Sequence, residues 1–197
     1  MTDYQRAVAA ILGVPRQVFA GHSTWGPLEE FLGTSLPEDY KKLVDEYAPV
    51  QVNSHLYLEH PANTHFPLGQ WISEVVEDFR GIEWEPAASC PGFEDDGPTF
   101  GSRSGMIPLA STDRGEYVFL APGIDGDRRR ILSCGRSEQD FYEYRMDFTE
   151  WLYRYLRGEE MFEPGHSDLY PGPVRLESLP TSGDDPKSEW YGPDRDI

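Results

Sequence analysis

Five histidines, two cysteines and 35 carboxylates are the side chains of this 197-residue chain that could do chemistry. A metal site would start from His55, His60 and His65, but steps of five turn strand residues to opposite faces, and a helical pair needs three or four. Asp125-Gly126-Asp127 opens like a calcium loop and then departs from it, with Arg129 where an oxygen ligand belongs and Arg136 where a bidentate glutamate should stand. Gly101-Ser102-Arg103-Ser104-Gly105 resembles a nucleophile elbow only loosely, because Arg103 occupies the serine's middle position. His166-Ser167-Asp168 lies in a Pro/Gly-rich tail that offers little rigid support for a general base. Glu94, Asp95 and Asp96 could supply an acid and a base only if burial separated their pKa values, whereas adjacent loop carboxylates are normally solvated. There is no glycine loop of either common phosphate-binding type, and Cys90 and Cys134 read as reduced, unbridged thiols. The expectation is a chain with no catalytic residues, no metal and no cofactor.

Charge points to binding. Seventeen basic and 35 acidic side chains leave a formal charge of -18, which repels nucleic acid and anionic membranes and favours a basic protein partner. Residues 1–98 carry 5 bases and 16 acids, residues 99–158 carry 9 and 9, and residues 159–197 carry 3 and 10. The first half and the tail therefore dominate the field. No apolar run approaches a membrane span and no secretory signal is present, so a cytoplasmic protein is expected.

The elements follow from periodicity and punctuation. Thr2 and Gln5 have capping-box spacing ahead of Val8, Ile11 and Leu12, and Gly13 and Pro15 stop that helix. Ser23 or Thr24 opens a second helix with Trp25, Leu28, Phe31 and Leu32 on one face and Gly33 at its end. Ser35 and Glu38 are spaced to cap a third, whose apolar face is Leu36, Tyr40, Leu43, Val44 and Tyr47. Short strands are predicted over 50–53 and 55–60 with a turn at Asn53-Ser54, and a fourth helix over 67–79. Strands over 106–110, 116–121, 130–134 and 141–146 are joined by turns too short for parallel crossovers, the second buried on both faces and the fourth suited to an edge. Asp147 is placed to cap a last helix carrying Phe148, Trp151, Leu152, Tyr155 and Leu156. The fold class this implies is α+β: a single domain with a mainly antiparallel sheet packed against several helices. The expected division is a helical extension over 1–21, the domain over 22–158 and an acidic Pro/Gly-rich tail over 159–197 that either wraps on the domain or stays mobile.

Trp25, Trp71 and Trp151 fall on apolar helix faces and read as core. Trp84 differs, because it sits between Glu83 and Glu85 in a loop that also holds Glu94, Asp95 and Asp96. An aromatic among carboxylates is the composition of a hot spot for a basic surface, so Glu83, Trp84, Glu85, Glu94, Asp95 and Asp96 are the candidate partner-binding residues. The bland alternative is a loop anchor turned into its own domain.

Trp25-x-x-Leu28-Glu29-x-x-Leu32-Gly33-x-x-Leu36-Pro37-Glu38-Asp39-Tyr40-Lys41-x-Leu43 resembles the opening signature of the SUKH superfamily, the Smi/Knr-like domain. Ile107-Pro108-Leu109-Ala110, Gly115 through Leu120, and Phe148-Thr149-Glu150-Trp151-Leu152 are similar to its later pieces, in order, over roughly residues 22–158. Glu116 replaces the aspartate usual after that glycine, and the 81–105 segment is longer than typical. The resemblance implies an α+β fold in which Trp25, Leu36, Pro37, Tyr40, Gly115, Phe148 and Trp151 are structural. It also implies a non-enzymatic protein, of the bacterial immunity type that neutralises a toxin domain or of the scaffold type found in fungal cell-wall signalling.

Overall fold

The computed structural model describes residues 2–22, 24–85, 90–93, 97–101, 104–123, 130–136, 139–165 and 170–195. Thr2 caps α1 (Asp3–Leu12) reciprocally with Gln5, as its spacing predicts. Gly33 closes α2 (Trp25–Leu32) in the left-handed conformation, at φ 66° and ψ 18°, which a β-carbon disfavours. Of the predicted α2 face, Trp25, Leu28 and Leu32 are buried and Phe31 is not, with 67% of it exposed. Phe31 lies roughly 60° beyond Leu28 around the helix, outside the arc that meets the core.

The third helix differs from expectation at its start. α3 (Glu38–Tyr47) begins after Pro37 and has no side-chain cap. The Glu29 carboxylate instead accepts the Leu36 N–H at 2.8 Å and holds Lys41 Nζ at 3.0 Å, keeping the preceding segment out of the helix. α4 (Leu68–Arg80) follows a hairpin of β1 (Val50–Val52) and β2 (Leu56–Leu58). Asn53 and Ser54, at φ 54° and 56°, make the tight turn between them, closed by His55 N–H on Val52 O at 3.0 Å.

Four strands then run antiparallel in sequence: β3 (Ile107–Thr112), β4 (Tyr117–Ala121), β5 (Arg130–Cys134) and β6 (Phe141–Tyr144). After α5 (Phe148–Leu156), the tail wraps on the domain and adds β7 (Arg175–Ser178) against β1 and β8 (Glu189–Tyr191) beyond it. Among the described residues this makes one antiparallel sheet in the order β6-β5-β4-β3-β2-β1-β7-β8.

Helices cover both faces of its β3–β5 part. Phe79 of α4 meets Tyr117 and Phe119 at ring distances of 5.0 and 5.1 Å on one face. Ser133 is paired with Val118, so it points to the other face, where its Oγ accepts the Trp151 indole N–H of α5 at 3.0 Å. Tyr40 of α3 donates its hydroxyl to Leu109 O at 2.9 Å beside a register shift in β3, and its ring meets Phe148 edge-on at 5.0 Å. Trp25 and Trp151 are buried as predicted, while Trp71 is half-buried at the core's margin. No helix among the described residues is long and apolar enough to cross a membrane.

The cap of α5 corrects the sequence reading. Asp147 occupies the cap position but makes no side-chain cap bond. Asp39 of α3 does so from across the fold, its Oδ2 accepting the Thr149 N–H at 2.8 Å and hydroxyl at 2.9 Å. A carboxylate there neutralises the positive helix end. Asp39→Ala is expected to lower unfolding free energy by about 1–2 kcal/mol in urea titrations; an unchanged midpoint would show that α5 does not depend on this cross-fold cap.

Candidate protein-docking surface

α4 delivers the acidic loop to one end of the sheet, and three contacts fasten it there. Arg80, in the last turn of α4, donates from Nε and Nη2 to Phe100 O at 3.2 and 2.6 Å. Arg130 of β5, only 4% exposed, donates to Pro91 O at 2.7 Å and Pro122 O at 3.0 Å and lies 3.6 Å from Glu143. Gly101 lies so close to α4 that a β-carbon would come within 2.5 Å of Val76, and its φ of 71° suits glycine.

Trp84 turns inward. Its ring stacks on Phe100 at 5.9 Å and 18°, with Phe141 at 5.9 Å and Phe79 at 6.4 Å, and it is half-buried. Glu83 and Glu85 on either side stay exposed. The Glu85 N–H donates to Gln139 Oε1 at 3.3 Å, which sets these acids beside the start of β6. Glu94, Asp95 and Asp96 lie outside the described residues, as do His166-Ser167-Asp168, Ser102, Arg103 and Asp125 to Asp127.

Further acids that sequence reading did not select converge on the same edge. Burial raises the pKa of Tyr142, helped by the charges of Asp140 and Glu163. Burial likewise pushes Tyr144 up to about 12, with Tyr142 and Glu160 adding to it. Tyr144 donates its hydroxyl to Glu160 O at 3.2 Å. Asp140, Glu160 and Glu163 thus flank Tyr142 and Tyr144 on the α5 side of β6, while Glu83 and Glu85 lie by the start of the strand with Trp84 on the α4 side. Cations of the neighbouring segments are held by carboxylates: Arg145 by Glu143 at 3.1 Å, Arg136 by Glu116 at 3.6 Å, and Arg154 by Glu150 at 2.8 Å. The one sequence signal for the added residues was the Tyr142-Glu143-Tyr144 alternation on a predicted edge strand.

The histidines serve separate internal networks. His55, 1% exposed, has Nδ1 2.7 Å from the Tyr155 hydroxyl and Nε2 3.1 Å from Glu116 Oε2. Burial alone would raise the pKa of Glu116, but hydrogen bonds from His55 and Thr112, with the charges of His55 and Arg136, outweigh it and hold the carboxyl below its ordinary value. His60 accepts the Ala62 N–H at Nδ1, so its Nε2 carries the proton directed at Asp45, 3.3 Å away; Asp45 also accepts the Trp25 indole N–H at 2.9 Å. Burial lowers the pKa of His60 despite that carboxylate. His65 is exposed, and among the described residues no three His, Cys, Asp or Glu side chains are grouped to hold a metal. Cys90 and Cys134 are buried and form no disulfide. His55 and Glu116, at 1% and 2% exposure, are sealed from any substrate.

The fold and its edge define an α+β domain with buried histidine networks and an acidic margin at β6. Residues 25–154 match the SMI1 / KNR4 family (SUKH-1), and the chain belongs to that family. The match runs from Trp25, at the start of α2, to Arg154 in α5. No curated protein and no solved structure matches the chain.

The geometry separates anchor from rim. Trp84→Ala is expected to cost about 2–3 kcal/mol of stability, less than a fully buried tryptophan. Glu83→Lys and Glu85→Lys should each stay within about 0.5 kcal/mol. Thermal or urea unfolding of the three variants checks this, and a neutral Trp84→Ala would free that ring for a partner instead.

Proposed function

We propose that this chain is a non-catalytic binding protein that docks its acidic exterior on a cationic protein, and that it is an immunity protein occluding a nuclease-like toxin domain. The observation that supports the reading is that carboxylates from three chain segments, Glu83 and Glu85, Asp140, and Glu160 and Glu163, flank the β6 edge, in a molecule of formal charge -18. Active sites that act on nucleic acid are basic because their substrate is polyanionic, so an acidic rim is attracted to the surface it must block. Glu83, Glu85, Glu94, Asp95 and Asp96 remain the proposed contact residues, and Trp84, turned inward on Phe100 and Phe141, serves by fixing the course of the acids beside it. In this reading residues 22–158 form the binding domain, working in the cytoplasm, and 1–21 and 159–197 are extensions that close its flank and its sheet.

The alternative, a scaffold of the Smi/Knr type that offers its acidic tail as an extended ligand, is less well supported. Residues Arg175–Ser178 are already paired with β1, so presenting them would require a strand to leave the sheet.

The test is co-expression with nuclease-type toxin domains, starting with any secreted protein that the neighbouring reading frame is found to encode, with growth as the readout. The chain is expected to restore growth, and a folded E83K/E85K/D140K variant to lose most of that protection. Full protection by the variant would remove the rim from the interface, and no protection by the natural chain would contradict the immunity reading.

A further inference from the structure

The β6 rim has a second property besides charge. Among the described residues β6 ends the sheet, paired with β5 alone in the strand order, through Ile131↔Tyr144, Leu132↔Glu143, Ser133↔Tyr142 and Cys134↔Phe141. An edge strand leaves alternate N–H and C=O groups without a sheet partner, a template for another chain. Sheet edges are commonly blunted by lysine, proline or a bulge. Phe141-Tyr142-Glu143-Tyr144 holds no lysine or proline, and its pairing to β5 runs without a register shift. Arg145, the first cation after the strand, is held by Glu143 at 3.1 Å.

The opposite edge is built differently. β8 has three residues, and the Arg16 guanidinium lies 4.3 Å over the Trp190 ring. Arg175 and Lys187 are bound to Glu177 on its flank. At its end Gly192 is pressed so closely on α1 that a β-carbon would come within 2.2 Å of Ile11 O. That edge is mixed in charge and capped by the N-terminal helix, whereas the β6 edge is acidic and ends in tyrosines.

We propose that β6 is a docking edge on which a basic, extended segment of the partner adds as a further strand, its main chain pairing with β6 and its Lys or Arg side chains meeting Asp140 and Glu160 at the strand's two ends. The inference rests on the docking reading above and names its mode. Charge selects the occupant: a second copy would set two acidic rims edge to edge, with like charges opposed, while a basic strand satisfies backbone and rim together.

The probe is an end-blocked octapeptide of alternating lysine and valine, compared with the same peptide N-methylated at alternate residues, which keeps the charge and removes half of the main-chain donors. Both are titrated into the full chain, followed by amide shifts and hydrogen exchange. The unmodified peptide is expected to bind at least about tenfold more tightly and to slow exchange of the outward-facing amides within Phe141–Tyr144. Equal binding by the two peptides, protection elsewhere, or no binding by either would overturn strand addition. The electrostatic reading stands or falls separately, on the growth test with the charge-reversed variant.

Discussion

The carboxylate of Asp39 on the N-terminus of α5 is the contact on which the rest of the arrangement depends. It joins α3, the second helix of the family signature, to α5, the helix in which the family match ends, 110 residues later. The residue beside it completes the joint: Tyr40, fully buried, sits edge-on to Phe148 and ends its hydroxyl on the β3 backbone at Leu109. One turn on in α5, Trp151 bonds Ser133 of β5. Helix, helix and sheet are thus tied by directional bonds, each worth about 1 kcal/mol net but costly to leave unmade when buried. With α5 fixed on one face and α4 on the other, β6 emerges from a rigid centre with its outer side uncovered by either helix.

That geometry gives the acidic rim its physical meaning. Carboxylates scattered over a flexible tail are screened beyond about 8 Å at physiological ionic strength. Carboxylates held on both sides of one strand add their fields, so a cation approaching the edge feels several at once. Such a surface chiefly raises the rate of encounter and rejects anionic competitors, while the tyrosines and the strand edge supply short-range contact. The buried His55–Glu116–Thr112 network is different in kind: its polar groups are turned on one another, and its contribution is to fix the start of β2 against the β3–β4 turn.

Much of this was legible in the sequence because local rules and the fold agree. The capping box at Thr2 and Gln5, the left-handed Gly33, the Asn53-Ser54 turn and the two-sided burial of Val118 and Phe119 each follow from residue type and spacing. The failures have particular causes. Asp147 had the right position for a cap, but a distant carboxylate took the bond, which no local pattern reveals. β7 and β8 went unseen because each buries one side of a three- or four-residue run, with Leu176 the only fully buried residue among them. Glu83 and Glu85 were selected for their neighbourhood in sequence. Glu160 and Glu163 were not, since only the path of the chain after α5 brings them to Tyr144 and Tyr142. Trp84 is the inward-facing anchor of its loop, with the two flanking acids outside.

The central claim is that association is driven by this fixed acidic rim meeting a cationic protein. Stopped-flow association of the chain with the toxin domain against which it protects in the growth test, across salt from about 20 mM to about 500 mM, tests it most directly. The account requires the rate to fall by about tenfold or more over that range, with E83K/E85K/D140K slow and nearly flat throughout. A rate indifferent to both salt and charge reversal would contradict it.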